Sequence, residues 1–272
     1  MEPRQLRVMA IGAHPDDCEY HFGGTAALYK EKGHIVKFVS VTSGNAGHQS
    51  MGREELKRVR AGEASRVSET TGIEYEILGV DDGALVPDLA SRELVISAIR
   101  RFRPDIVFAH RPYDYHADHR AVGLLMQDAS FLLGVPLVCP SVPCLRHVPV
   151  IMSFSDNFTK PVACAPHVAV DTDAALDRKA AMLDCHRSQF YDWLPWVERE
   201  TDEVPQDEEG RLRWLTGKVS QRDASAARRV RDLLIGRYGA ARGRAVQHAE
   251  AFETSEYGAP LPDEKMDEYF PF

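Results

Sequence analysis

Leu6-Arg7-Val8-Met9-Ala10-Ile11-Gly12-Ala13-His14-Pro15-Asp16-Asp17 opens the chain with an apolar run that reads as a buried strand, then a loop carrying an imidazole and paired carboxylates. Gly23 to Gly33 reads as the following helix, ended by glycine as helices commonly are. A β-loop-α start is implied. Working outward, Ile35 to Val41 is a second β-branched run, Glu54 to Thr71 a charged amphipathic helix closed by Gly72, and Tyr75 to Leu78 a short third strand. Ser91 to Arg101 is a further helix and Asp105 to Ala109 a fourth strand. Strands alternating with helices predict a Rossmann-like, doubly wound, mostly parallel α/β sheet covered on both faces.

In a sheet of order 3-2-1-4-5, strands one and four are neighbours whose connections leave in opposite directions, and ligands bind in the crevice at their carboxyl ends. His14 to Asp17 follow strand one. A second cluster, His116-Ala117-Asp118-His119, follows strand four. The topology therefore brings together residues separated by about a hundred positions in sequence.

After His119 a helix runs to about Gly134, and Pro-rich, strand-like stretches follow around 136–153 and 167–170. Ala174 to Cys185 returns to helical periodicity and leads into an aromatic group of Tyr191, Trp193 and Trp196. Glu198 to Glu209, with Pro205 inside it, reads as an exposed acidic loop across 198–210, and Arg222 to Tyr238 as a basic helix. The expected organisation is one domain over 1–272: a metal-site core over 1–134, completed by a smaller C-terminal α+β extension over 135–272. The tail Tyr269-Phe270-Pro271-Phe272 docks on the body or on a second copy, which leaves a homo-oligomer open.

The 272 residues carry a net charge of −8 with basic residues scattered along the chain, which argues against a nucleic-acid partner. No window approaches the roughly 18 apolar residues of a membrane span and no signal-peptide run is present, so a cytoplasmic location and no membrane partner are expected. Five cysteines at irregular spacing argue for reduced thiols.

A catalytic zinc takes three protein ligands and keeps an open position, and His14, Asp17 and His119 supply two imidazoles and a carboxylate. Adjacent Asp16 and Asp17 cannot point the same way from an extended turn. Asp16 is left to accept a proton from the attacking water, as a general base. His116 is expected to stabilise an oxyanion or protonate a leaving amine, with Asp118 holding its ring and favouring the imidazolium. Arg53 and Asp82, in the loops after strands two and three, are expected to bind sugar hydroxyls. Cys18 and Glu19 are weaker competitors for the metal; His21, His34, His48 and His110 read as structural.

Ala13-His14-Pro15-Asp16-Asp17-Cys18-Glu19, Gly23-Gly24-Thr25 and His116-Ala117-Asp118-His119 resemble the PIG-L/LmbE-like N-acetylglucosamine deacetylases. A weaker likeness extends to Cys185-His186-Arg187-Ser188-Gln189-Phe190. The resemblance implies a zinc-dependent hydrolase that removes acetyl from an N-acetylated amino sugar or its glycoside. It implies zinc on His14, Asp17 and His119, Asp16 as general base, and His116 as acid or oxyanion partner. Fe²⁺ or another divalent ion suits the same nitrogen and oxygen donors. The chain departs from the family with Ala117 where many members have proline. It also has Asp114 where mycothiol-pathway members have tyrosine.

Two other readings compete. His14-x-Asp16 with a distant His119 also matches the facial triad of non-haem Fe(II) oxygenases, but those stand on all-β barrels. A noncatalytic sugar- or nucleotide-binding module has no need of Asp16, His116 and a metal set together.

Overall fold

The structure is a computed structural model that describes residues 4–272. The first half alternates as expected: β1 (Arg7–Gly12), α1 (Asp17–Glu31), β2 (Ile35–Thr42), α2 (Arg53–Thr71), β3 (Glu74–Val80), α3 (Leu89–Phe102), β4 (Ile106–Ala109) and α4 (Ala117–Leu132). The second half supplies β5 (Val150–Phe154), β6 (Val168–Asp171), α5 (Leu176–Asp184), α6 (Leu194–Glu198), α7 (Glu208–Arg229), α8 (Arg231–Tyr238), α9 (Ala240–Ala245), β7 (Ala249–Thr254) and α10 (Met266–Tyr269). One sheet holds all the strands in the order β3-β2-β1-β4-β5-β7-β6. β3 through β5 are parallel, and β7 and β6 extend the edge antiparallel.

β1 sits between β2 and β4, with Val8 level with Val36 and Ile106, so its burial on both faces explains the unbroken apolar run. On one face Phe22, Phe38, Phe108 and Phe252 form the core under α1. The other face packs Ile96 and Ile99 of α3 against Val122 and Leu125 of α4. The C-terminal tail docks on the first of these cores. Phe270 is fully buried, and the Tyr29 hydroxyl donates to the Tyr269 carbonyl at 2.7 Å.

Several boundaries differ from expectation for identifiable reasons. α1 begins at Asp17, within the loop motif, where Asp17 and Glu19 place negative charge in its first turn. Gly23 and Gly24 lie inside α1 instead of opening it, because the C-terminal half packs there. A Cβ on Gly24 would stand 2.9 Å from Thr172 Cγ2, and one on Gly23 3.1 Å from Lys179 Cγ. The basic helix starts earlier, at Glu208, with the Asp207 carboxylate accepting the Gly210 N–H as its N-cap, and it breaks at Val230. This shortens the acidic loop, whose side chains are exposed apart from buried Val204 and half-buried Glu200 and Pro205. All five cysteines are free.

Candidate metal centre

The turn after β1 and the loop after β4 meet at the crossover between those strands. The Asp17 carboxylate folds back on its own turn, Oδ2 accepting from the N–H groups of Ala13 at 2.9 Å and His14 at 2.8 Å. His14 Nδ1 lies 3.2 Å from His119 Nε2 and 3.4 Å from Asp17 Oδ2, and His119 Nε2 lies 3.4 Å from Asp17 Oδ1. Donor atoms around a tetrahedral zinc, each about 2.0–2.1 Å from the ion, stand roughly 3.4 Å apart. Taken pair by pair, these spacings suit one small divalent ion, with Asp17 facing His14 through Oδ2 and His119 through Oδ1.

The far nitrogens of both imidazoles support the same fit. His14 Nε2 is buried and faces two carboxylates, Asp82 Oδ1 at 3.2 Å and Asp118 Oδ2 at 3.4 Å. His119 Nδ1 faces Asp114 Oδ1 at 3.1 Å. A carboxylate behind each ring holds its proton on the far nitrogen and turns the near one toward the ion, the usual support of a metal-binding histidine. Burial opposes protonation of His14, but Asp118, Asp17 and Asp82 outweigh it and raise its pKa well above the ordinary value. Burial opposes it at His119 too, where Asp17 and Asp114 win and lift the pKa to about 9. For Asp17 itself, burial would raise the pKa, yet His119 and His110 hold it well below the usual carboxylate range.

Asp118 stands otherwise than expected, Asp82 has a contact beyond the expected one, and Asp114 had been given no role. Asp118 does not hold His116: its Oδ2 accepts the Gly83 N–H at 2.7 Å and faces His14, while the Asp118 N–H donates to His116 Nδ1 at 3.1 Å. Asp118 lies in the first turn of α4, so its side chain turns back into the site while His116 caps the helix. Asp82 also faces His14 and accepts the Ala46 N–H at 3.2 Å, which places it behind a ring as well as on the cavity wall. Asp114, at the position of a family tyrosine, orients His119.

The Asp16 carboxylate meets Arg60 of α2, while Asp16 borders the same cavity as the Asp17 cluster. Its backbone has φ 150°, a conformation that strains any side-chain-bearing residue. Arg60 of α2, 1 % exposed, reaches Asp16 Oδ2 at 3.1 Å and also donates to the Pro15 carbonyl, fixing the turn from outside. Burial pushes the Asp16 carboxyl up, Arg60 pulls it partly back, and the balance rests at about 6. His116, half-buried, packs edge-on to His14 with ring centroids 4.6 Å apart. Its Nδ1 is taken by the helix cap, so the neutral ring carries its proton on Nε2. Burial, with His14 and His119, lowers its pKa, which corrects the expectation of a favoured imidazolium.

His14, Asp16, Asp17, Asp82, His116 and His119 all border one cavity of about 940 Å³. Asp118 and Arg53 do not. Arg53 donates to Asn45 Oδ1 at 3.3 Å, the same oxygen that accepts the Asp82 N–H at 2.9 Å, so it braces the wall from behind. Cys18 is buried in the core and Glu19 pairs with His186 at 2.7 Å, so neither reaches the ligand cluster.

Two neighbours of the ligand cluster were not assigned to the site from sequence: His110, read as structural, and Arg60, given no role. His110 stacks on His119 with centroids 4.0 Å apart, and its Nε2 lies 3.1 Å from Asp17 Oδ2. Its signal was its place directly after β4. Arg60 was visible as a charge on the inward stripe of α2, with Leu56, Glu63, Ala64 and Val67. Among the described residues, side chains grouped closely enough to hold an ion are His14 with His116 and His119, Asp17 with His110 and His119, and His14 with Asp82 and Asp118. His14 and His119 each have a carboxylate behind the ring; His116 has a backbone N–H instead.

The sequence and fold have relatives. Over 203 residues the chain is 24% identical to 4-oxalmesaconate hydratase of Pseudomonas putida, covering 71% of this chain and 78% of that one. It is 28% identical to the diacetylchitobiose deacetylase of Thermococcus kodakarensis over 202 residues, 70% of this chain and 73% of the other. Its fold matches that of N,N'-diacetylchitobiose deacetylase from Pyrococcus horikoshii with a TM-score of 0.70 at 21% identity, covering 92% of this chain and 84% of that one. Residues 9–130, which hold most of β1 through nearly all of α4 and every residue of the ligand cluster, match the model of the PIG-L family, described as GlcNAc-PI de-N-acetylase.

Proposed function

We propose that this protein is a metal-dependent amidohydrolase that removes acetyl from an N-acetylated amino sugar or its glycoside. The observation that carries the reading is the convergence of His14 Nδ1, His119 Nε2 and Asp17 at spacings suited to one small divalent ion, with Asp16 lining the same cavity. His14, Asp17 and His119 would hold the ion, and zinc suits that donor set, with Fe²⁺ as the other candidate. When bound, the ion supplies Lewis acidity, polarising the amide carbonyl and acidifying the attacking water.

The chain's own groups do the rest. Asp16 takes the proton from water as its oxygen bonds to the acetyl carbon. The C–N bond then breaks, and the proton held at Asp16 passes to the departing nitrogen, giving acetate and a free amine. His116 offers its Nε2–H to the carbonyl oxygen as negative charge develops there, acting as a neutral hydrogen-bond donor. His110 and Asp114 keep Asp17 and His119 aimed at the ion. The cavity draws on residues from His14 to Ala251, which supports treating 1–272 as one functional unit.

The test is to load the protein with Zn²⁺ or Fe²⁺ and assay acetate and amine release across N-acetylglucosamine, diacetylchitobiose and N-acetylglucosaminyl conjugates. A 4-oxalmesaconate hydration assay runs in parallel, because a relative catalyses that addition of water. Amide turnover that His14→Ala and Asp16→Asn abolish supports the reading. Hydration without amide turnover overturns it.

A further inference from the structure

A second cluster of reactive side chains stands outside the cavity, where α7 meets the end of β6 and the start of β7. Mid-helix hydroxyls commonly bond back to a carbonyl one turn earlier, as Thr216 does to the Leu212 carbonyl at 2.7 Å. Ser220, one turn further along α7, turns outward instead, and its Oγ lies 2.8 Å from His248 Nε2. His248 Nδ1 in turn lies 2.9 Å from Asp173 Oδ1. Hydroxyl, imidazole and carboxylate thus form one continuous chain, drawn from α7, the residue before β7 and the turn after β6. None of the three lines the cavity of the metal centre.

The carboxylate end fixes the tautomer. Asp173 accepts the backbone N–H of His248 at 2.6 Å and that of Gln247 at 3.0 Å, which holds its side chain against the ring. An ionised carboxylate only accepts, so the proton of the neutral imidazole sits on Nδ1 and Nε2 presents its lone pair to the serine hydroxyl. Ser220 therefore donates to a base that a third group orients, the arrangement that activates a serine. The hydroxyl is also open to approach. Ser220 and His248 are only half-buried. Helical side chains lean toward the N-terminus, so Ser220 leans over Gly217, where a Cβ would meet nothing beyond its own turn within 4 Å among the described residues. Ala224, one turn on, adds only a methyl group.

We infer that Ser220 is a second nucleophilic centre of this protein, with His248 as its general base and Asp173 positioning the ring, and that it takes acyl groups from activated esters. The inference does not rest on the deacetylase reading. The substrate class follows from the helix: α7 commits the backbone N–H groups around Ser220 to its own carbonyls, so they do not form an oxyanion hole. The acyl donor must then carry a good leaving group, as an aryl ester does. Ser220 Oγ bonds to the acyl carbon as its proton passes to His248 Nε2. The bond from that carbon to the aryl oxygen breaks, and the proton moves from His248 to the departing phenolate, leaving O-acylated Ser220 and a phenol.

The experiment exposes the full chain to p-nitrophenyl acetate for timed intervals, both metal-loaded and chelator-treated, and maps acetylated peptides by mass spectrometry. Ser225 is the internal reference, a half-buried serine on the same helix whose hydroxyl meets Arg229 instead of a base. Ser220 should acetylate about a hundredfold faster than Ser225, the lower end of what a positioned general base contributes. His248→Gln should bring the two serines level. Asp173→Asn should remove most of the advantage, because an amide in that place favours the wrong ring tautomer, and Asp173→Glu should restore part of it. Equal rates in the wild type, or an advantage that survives His248→Gln, overturns the inference. Labelling of Ser220 that appears only in the metal-loaded protein also overturns it, since the metal centre is then the source. Should His248→Gln fail to fold, the ratio is read in Asp173→Asn, where a wild-type value overturns the inference.

Discussion

Arg60→Gln removes the guanidinium charge that sets the Asp16 carboxyl while leaving a neutral polar side chain at the same place on α2. At the observed 3.1 Å, the lost attraction is about 1.3 kcal/mol for a water-like dielectric and about 5 kcal/mol at an effective value of 20. This corresponds to about one to four pKa units, all upward, because the carboxylate loses its stabilising cation. Asp16 already rests at about 6 through burial, so the variant's carboxyl should titrate at or above neutrality. A bound divalent ion lowers both proteins' values, so the difference between them is the quantity to read. The assay is kcat/KM against pH on one acetamido substrate, with metal content measured at each point. A base must be ionised, so activity rises with pH through its pKa; the acid limb of Arg60→Gln should lie at least one unit higher, with rates converging at alkaline pH. Coincident limbs with full metal occupancy would refute the assignment of Asp16 as base, and a uniform loss at every pH would reduce Arg60 to a structural brace.

Metal uptake should itself be proton-linked. His119, held at about 9, is protonated through neutrality, so apparent affinity should climb about tenfold or more per pH unit below that value and flatten above it, as read by calorimetry in buffers of different ionisation enthalpy. Asp114→Asn removes the carboxylate behind His119 and should weaken metal binding about tenfold to a hundredfold while the fold persists; unchanged affinity by competition with a chelator would show that Asp114 does not orient the ligand. Lys179→Met removes the buried cation shared by Asp223 and Glu250, leaving Arg222 on the first and the N–H groups of Gly24 and Thr25 on the second, and should cost up to about 3–5 kcal/mol of stability in denaturant unfolding. An unchanged midpoint and slope would mean that those carboxylates take up protons or water without loss.

The parallel core was legible because burial on both faces forces continuous apolar runs, and the order 3-2-1-4-5 then located both halves of the site before any side chain was placed. Segment 133–149 was opaque for a physical reason. Its backbone is organised by one buried residue from elsewhere, Arg100, which donates to the carbonyls of Leu132, Leu133, Val135, Cys139 and Val142. No local propensity in that segment announces an arginine about thirty residues upstream. The same holds at Gly24, whose N–H donates to Glu250 Oε1 at 2.9 Å. The pairing joins α1 to β7 across most of the chain.

Within the site, residue types were legible and their pairings were not. His116 and Asp118 look like partners in sequence, but α4 begins between them, and a helix start turns one side chain into a cap and the next but one back toward the strand ends. Asp118 then joins Asp82 behind His14, while Asp114 stands behind His119. Together with Asp16 and Asp17, five carboxylates surround a pair of imidazoles, and Arg60 is the one buried guanidinium shown pairing with any of them. Such a group cannot keep its full negative charge in a low-dielectric site; protons on His14 and His119, whose pKa values are both raised, offset it, and so would a divalent cation. The same acidic surround that makes the site a strong metal trap thus makes protons its competitor, and the tightness of metal binding at a given pH is set by the carboxylates behind the rings as much as by the ligand atoms in front.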